Sequence, residues 1–235
     1  MYPSIEDSVA NIMGTSWNIT KGTVVPKTED VVLKNGGKLV EAVYLYADLA
    51  GSSKLAQSLK KEATAKIIKA YISTASRIIL YKDGEIRSFD GDRVMGIFMG
   101  ADKEQRAVRA AMGIHWAVCE VIRPAIKTAF TDGEDFCNVQ HAIGIDAGEA
   151  LIVRGGVRDN NDLISIGSAP NVAAKLSDIR TSHSLFITKA VYDELGDEYL
   201  TYEAGRRNVW TRTLSPTTIG GKSVSVYSSS VYWAV

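Results

Sequence analysis

Three segments of this chain combine residue types that handle phosphates and metal ions. In Tyr46-Ala47-Asp48-Leu49-Ala50-Gly51-Ser52-Ser53 a carboxylate ends an apolar run and precedes a glycine and two serines. A carboxylate at the end of a buried strand is costly unless a cation meets it. The open backbone N–H groups of a helix start beyond it suit a phosphate. Helix capping by Asp48 is the simpler alternative. The second segment is Asp90-Gly91-Asp92, where Asp-Gly favours a tight turn and the acids need do nothing more. The third runs from Ile166 to Leu176, where Asn171 and Lys175 lie four apart and share one helix face. An amide and an ammonium so placed can orient a ribose and meet charge on a transferred phosphoryl group, or simply face solvent.

The elements that must position these residues follow from periodicity. Residues 1–38 read as an N-terminal extension ending in the turn-rich Lys34-Asn35-Gly36-Gly37-Lys38, and residues 39–235 as one catalytic domain. Val40–Leu49 is a β-rich apolar run suited to a central strand. A helix is expected from Ser52 or Ser53 to about Tyr81, with Leu55, Leu59, Ala63, Ile67 and Ala70 on one face. Glu85–Phe89 and Val94–Met99 flank the Asp-Gly turn as a hairpin. A long helix from Asp102 to about Phe130 is interrupted near Pro124. Val139–Asp146 and Glu149–Arg154 read as two strands about Ala147-Gly148, followed by a polar loop at 159–162 and a short strand, Leu163–Ile166. A helix over about Asn171–Ile179 and a strand at Leu185–Thr188 complete the core. The order βαββαβ predicts an α+β, ferredoxin-like domain, an antiparallel sheet with helices on one face. That topology sets the first strand beside the hairpin, so Asp48 and Asp92 approach one another. Two close carboxylates need a shared cation, and hard oxygen donors suit Mg²⁺ or Mn²⁺.

Composition narrows the classes. Hydrophobic residues make up 46% and charged residues 23%, which argues against long disorder. Lys plus Arg and Asp plus Glu are 27 each, so the chain lacks the overall field of a non-specific nucleic-acid binder. Two cysteines, Cys119 and Cys137, are too few for a disulfide scaffold and read as reduced thiols. No apolar run approaches bilayer length and the N-terminus carries no basic signal region, so a complete cytoplasmic chain is expected. Gly220-Gly221-Lys222-Ser223 ends like a phosphate loop, but Pro216 stands where its first glycine is required. His115, His141 and His183 are scattered and read as structural.

Taken together, these segments resemble the class III nucleotide cyclases. Val43–Ser52 is similar to the family's first metal strand and Phe89–Phe98 to its second. Ala142-Ile143-Gly144-Ile145-Asp146-Ala147-Gly148 and Gly167–Leu176 supply the other two blocks in order. The resemblance covers about residues 40–190 and implies that Asp48 and Asp92, with the Leu49 carbonyl, hold two Mg²⁺ or Mn²⁺ ions against a nucleoside triphosphate. Asn171 would orient the ribose, and a homodimer would carry its sites at the interface. Lys175 stands where the family has an arginine, Ser88 where adenylate cyclases have a base-reading lysine, and Ile164 where that lysine's partner belongs. These departures, with Trp17 and Lys21-Gly22-Thr23-Val24-Val25-Pro26, more closely resemble bacterial pyrimidine cyclases of anti-phage signalling, which make cyclic UMP or cyclic CMP. By that resemblance Tyr46, Arg93 and Ser88 line the base site, and Lys222 joins Lys175 at the phosphates. Tyr46 as core filler and Arg93 as a triphosphate ligand remain open, as do a purine cyclase with an atypical pocket and an inactive regulatory domain. A cyclic-nucleotide-responsive effector would read the product.

Overall fold

The apolar run around Val43 is covered on both faces because it forms the middle of a sheet. The computed structural model describes residues 3–130, 138–203, 205–213, 217–219 and 221–235. It opens with helix α1 (Ile5–Gly14) and strand β1 (Asn18–Lys21). Strand β2 (Gly36–Ala50) precedes helices α2 (Ser52–Ser58) and α3 (Lys61–Tyr81) and the hairpin of β3 (Glu85–Asp90) and β4 (Arg93–Phe98). Helix α4 (Lys103–Ala117) passes through a π-helical turn, Val118–Ile122, into α5 (Arg123–Ala129). Strands β5 (Gln140–Val157) and β6 (Asn160–Gly167) form a second hairpin, followed by α6 (Ser168–Ser177) and β7 (Leu185–Thr188). The C-terminal part holds short helices α7 (Lys189–Tyr192) and α8 (Asp197–Leu200) and strands β8 (Thr201–Tyr202) and β9 (Arg207–Asn208). Strands β10 (Thr211–Arg212), β11 (Thr217–Ile219), β12 (Lys222–Val224) and β13 (Val226–Ser229) finish it.

The main sheet runs β10-β13-β7-β5-β2-β4-β3, with β1 parallel to β2 and β6 paired to β5. Its centre is the expected α+β, ferredoxin-like arrangement, but helices cover both faces rather than one, and β7 runs parallel to β5. Odd-numbered residues of β2 (Val43, Leu45, Ala47, Leu49) pack with Ile67, Tyr71 and Ile78 of α3 and Met112 and Ile114 of α4. Even-numbered Val40, Ala42 and Tyr44 face the other way, onto Ala169 and Ala173 of α6. Each fully buried Leu or Ile of this kind contributes about 1.5–3 kcal/mol, so a strand apolar on both faces is strongly held at the centre.

Three local readings need correction. The helix expected over 52–81 is two helices, because Leu59 and Lys60 adopt extended ψ angles of 160° and 145°. The Thr64 hydroxyl donates to the Leu55 carbonyl across that break at 3.2 Å. Residues 140–157 form one strand, since β2 pairs with it without a break from Gly37↔Val153 to Ala50↔Gln140. The turn falls instead at Arg158-Asp159, where Asp159 takes φ 68°, and most of the expected polar loop is strand β6. The last helix starts at Ser168 rather than near Asn171. The interruption near Pro124 is the π-helical turn just before it, a register that accommodates a residue without an N–H.

Among the described residues no helix is long and apolar enough to cross a membrane. Helix α6 approaches β5 closely enough that a Cβ on Gly144 would meet the Ala173 carbonyl oxygen at 2.1 Å and the Ser177 nitrogen at 2.6 Å. Backbone cannot yield there as a flexible side chain would. Gly144→Ala is therefore expected to cost about 1–3 kcal/mol, read as a lowered denaturation midpoint. An unchanged midpoint would contradict this packing of α6.

Candidate active site

The site is built where β2, the β3–β4 hairpin and the end of α6 converge. In the β2–β4 register Asp48 lies opposite Arg93, and Asp92 is the next residue, at the hairpin tip. Gly91 takes φ 61° there, which closes the turn. Antiparallel neighbours have Cα atoms about 4.5–5.5 Å apart, so the two carboxylates expected to meet are brought to one end of adjacent strands. Asp48 is only 6% exposed.

A carboxylate so buried needs countercharge, and two guanidinium groups provide it. Arg93 donates from Nε to Asp48 Oδ1 at 3.2 Å, and Arg180 reaches Asp48 Oδ2. The Arg93 guanidinium also bonds Asp178 at 2.5 Å, and Lys175 Nζ lies 4.0 Å from Asp178. Burial works against the charge on Arg93, but Asp48 and Asp178 beside it prevail and raise its pKa. Nothing in the spacing of the sequence singled out Arg180. Its one signal was its position just beyond the helix that carries Asn171 and Lys175.

Beside this network lies a polar and thioether row. Tyr46 and Ser88 flank Met95 on neighbouring strands. The Tyr46 hydroxyl donates to Met95 Sδ at 3.1 Å, and Ser88 Oγ lies 3.5 Å from the same sulfur. Burial raises the Tyr46 pKa, so its phenol stays protonated near neutrality. Asn171 and Lys175 sit on the exposed face of α6, Lys175 joining the network only through Asp178. Lys222 lies on β12 and its side chain is outside the described residues. Ile164 is 51% exposed on β6 and pairs with Val153, apart from the Tyr46–Met95–Ser88 row.

Among the described residues no group of three or more His, Cys, Asp or Glu side chains is gathered to hold a metal. The oxygen donors expected from the sequence are the carboxylates of Asp48 and Asp92 and the Leu49 carbonyl. That oxygen set fits Mg²⁺ or Mn²⁺, whose remaining positions are commonly filled by water and substrate phosphates.

Behind the carboxylates lies a buried aromatic group that spacing did not reveal. His115 and His141 are not scattered: packing α4 over β5 brings His115 Nδ1 within 2.8 Å of His141 Nε2. Tyr71 from α3 meets His141 edge-on, with ring centroids 5.9 Å apart. Burial, then the nearby Asp48 and Asp92 charges, push the Tyr71 pKa well above its usual value. His183 stands apart, bonded to Ser228.

The fold matches solved class III nucleotide cyclases. A bacterial light-regulated adenylyl cyclase superposes with a TM-score of 0.69 at 22% identity, over 84% of this chain and 53% of that longer one. No family model matches the chain. Curated relatives are nearer in sequence. The uridylate cyclase of a Rhodovulum species is 39% identical over 97% of this chain and 95% of its own length. That of Xanthomonas perforans is 34% identical over 96% and 94%. The chain belongs to the uridylate cyclase family and is a nucleotide cyclase.

The histidine pair sets a pH dependence. Burial, followed by Arg123, lowers the His115 pKa to about 4, and burial lowers that of His141 well below 6.5. Between the folded and unfolded values the unfolded chain binds more protons, so stability rises with pH. Unfolding free energy is expected to be full above about pH 6.5 and to fall as pH drops toward 4. Denaturation midpoints across that range, compared with His115→Gln, check this; identical slopes in both proteins would refute it.

Proposed function

We propose that this protein converts UTP to 3′,5′-cyclic UMP and pyrophosphate, with CTP the poorer substrate. The observation that carries the reading is the buried Asp48 beside the Asp92 tip, with the Tyr46–Met95–Ser88 row next to it. In the reaction the ribose 3′-oxygen bonds to the α-phosphorus as the bond to the β-phosphate oxygen breaks. That bond's electron pair leaves on pyrophosphate, and the hydroxyl proton passes to solvent. When bound, two Mg²⁺ or Mn²⁺ ions would lower the hydroxyl pKa and neutralise the leaving phosphates. Asp48, Asp92 and the Leu49 carbonyl would hold them. Asn171 orients the ribose, and Lys175, with Lys222, offsets phosphate charge.

On the base side, the Tyr46 hydroxyl is engaged only with a thioether, a weak acceptor. It can exchange that contact for a uracil carbonyl, and Ser88 can do the same. A hydroxyl-lined site that leaves polar groups unpaired against the wrong base discriminates well. The bulk of Tyr46 and Met95 supports a single-ring base. The bonds of Arg93 to Asp48 and Asp178 favour a role toward the phosphates. Membership of the uridylate cyclase family supports uracil.

Residues 1–38 are read as an extension packed on a catalytic unit spanning residues 39–235. Two such chains join head to tail, with both sites at the interface. The exposed Val157, Ile164 and Ile166 of the β5–β6 hairpin are apolar surface that a second chain would cover. The cyclic product serves as a cytoplasmic second messenger in bacterial antiviral defence, read by a cyclic-nucleotide-responsive effector.

Purified protein incubated with Mn²⁺ and each of the four ribonucleoside triphosphates in turn is expected to yield cyclic UMP as the main product. Asp92→Ala should yield none while keeping the oligomeric state of the parent. A cyclic purine as the main product would overturn the base assignment, and an active Asp92→Ala would overturn the metal assignment.

A further inference from the structure

Among the described residues, Arg180 is the one guanidinium at the site that comes from outside the sheet. It follows α6, and its Nη1 donates to the carbonyl oxygens of Ser177 at 2.6 Å and Ile179 at 3.1 Å. Its other terminal nitrogen grips Asp48 Oδ2. With Arg93 on Oδ1, both oxygens of Asp48 are held by arginines. A cation on Asp48 would compete with these arginines for the carboxylate oxygens.

The surroundings of the two differ. Arg93 is a strand residue with its side chain 23% exposed, bonded to both Asp48 and Asp178. Arg180 holds Asp48 through one nitrogen and is 43% exposed. Arg180, the more exposed of the two, is the arginine with the greater freedom to move. Once a divalent ion sits on Asp48, repulsion drives the guanidinium away. Its hydrogen bonds at the end of α6 keep it beside the site. Lys175, 69% exposed, offers only a point charge there, whereas a guanidinium fork can bind phosphate oxygens in pairs.

We propose that Arg180 is a substrate-binding residue that exchanges partners. It caps Asp48 before the cation arrives, and it binds the triphosphate once the cation has taken that carboxylate. The cap and the incoming charges are matched, since the charges of divalent ions and a triphosphate roughly cancel. Cation alone therefore competes with Arg180, while cation and nucleotide together give it a new partner. This inference rests on the cyclase reading above.

The test uses the full chain with Arg180→Ala and Arg180→Lys. Mn²⁺ binding without nucleotide is followed by electron paramagnetic resonance of the free ion. Binding of 3′-deoxy-UTP, which cannot cyclise, is followed by calorimetry with Mn²⁺ present. Arg180→Ala is expected to bind Mn²⁺ alone several-fold more tightly and 3′-deoxy-UTP about tenfold more weakly, the loss of one charged hydrogen bond. Arg180→Lys should fall between on the nucleotide. A merely supporting role for Arg180 would weaken both, and that result overturns the proposal. Unchanged Mn²⁺ affinity overturns the cap, and unchanged nucleotide affinity overturns the phosphate contact. If the parent protein binds none of the four 3′-deoxy triphosphates, the cyclase reading and the phosphate contact fail together. The Mn²⁺ measurement then still decides whether Arg180 caps Asp48.

Discussion

A carboxylate buried at the end of a central strand has to be balanced, and the arrangement of this site follows from how Asp48 is balanced. The strand that carries it is apolar on both faces, so Asp48 cannot turn to solvent without taking the core with it. The β2–β4 register supplies Arg93 directly opposite and Asp92 one residue further on. The end of α6 supplies Arg180. Two guanidinium groups, one from β4 and one from beyond α6, thus converge on one buried anion. A pair of divalent ions with their triphosphate is the chemistry that can take over such a task.

That dependence ties catalysis to packing. Helix α6 lies against β5 at Gly144, where no side chain fits, and this sets where Asp178 and Arg180 emerge from the helix end. The odd-numbered face of β2 is held by α3 and α4, whose Tyr71 and His115 approach the site from behind. The carboxylate, its countercharges and the hydroxyls beside it are therefore held by strands and helices of the core rather than by free loops. A site of that kind suits an enzyme that must align a hydroxyl and a phosphorus closely.

Much of this was legible in the residues, and the exceptions have physical causes. The apolar run before Asp48, the Asp-Gly turn and the four-residue spacing of Asn171 and Lys175 are local signals, and each element forms near where it was expected. Ala147-Gly148 looked like a turn because small residues and glycine usually mark one. Pairing with the long β2 strand overrode that preference and moved the turn to Asp159. The break at Leu59-Lys60 carries no glycine or proline and so left no mark. Arg180 and the His115–His141 pair depend on contacts between residues 132 and 26 positions apart, which no local pattern reports. Met95 carries no local mark in the sequence, yet its sulfur receives the Tyr46 hydroxyl and lies beside that of Ser88.

The central claim is that Asp48 and Asp92 share divalent cations with a triphosphate. Anomalous scattering from Mn²⁺ in crystals grown with 3′-deoxy-UTP tests it most directly. Paired peaks are expected between the two carboxylates and the phosphates, with Asp48 no longer held by both arginines. Bound nucleotide with Mn²⁺ elsewhere, and Arg93 and Arg180 still on Asp48, would contradict it.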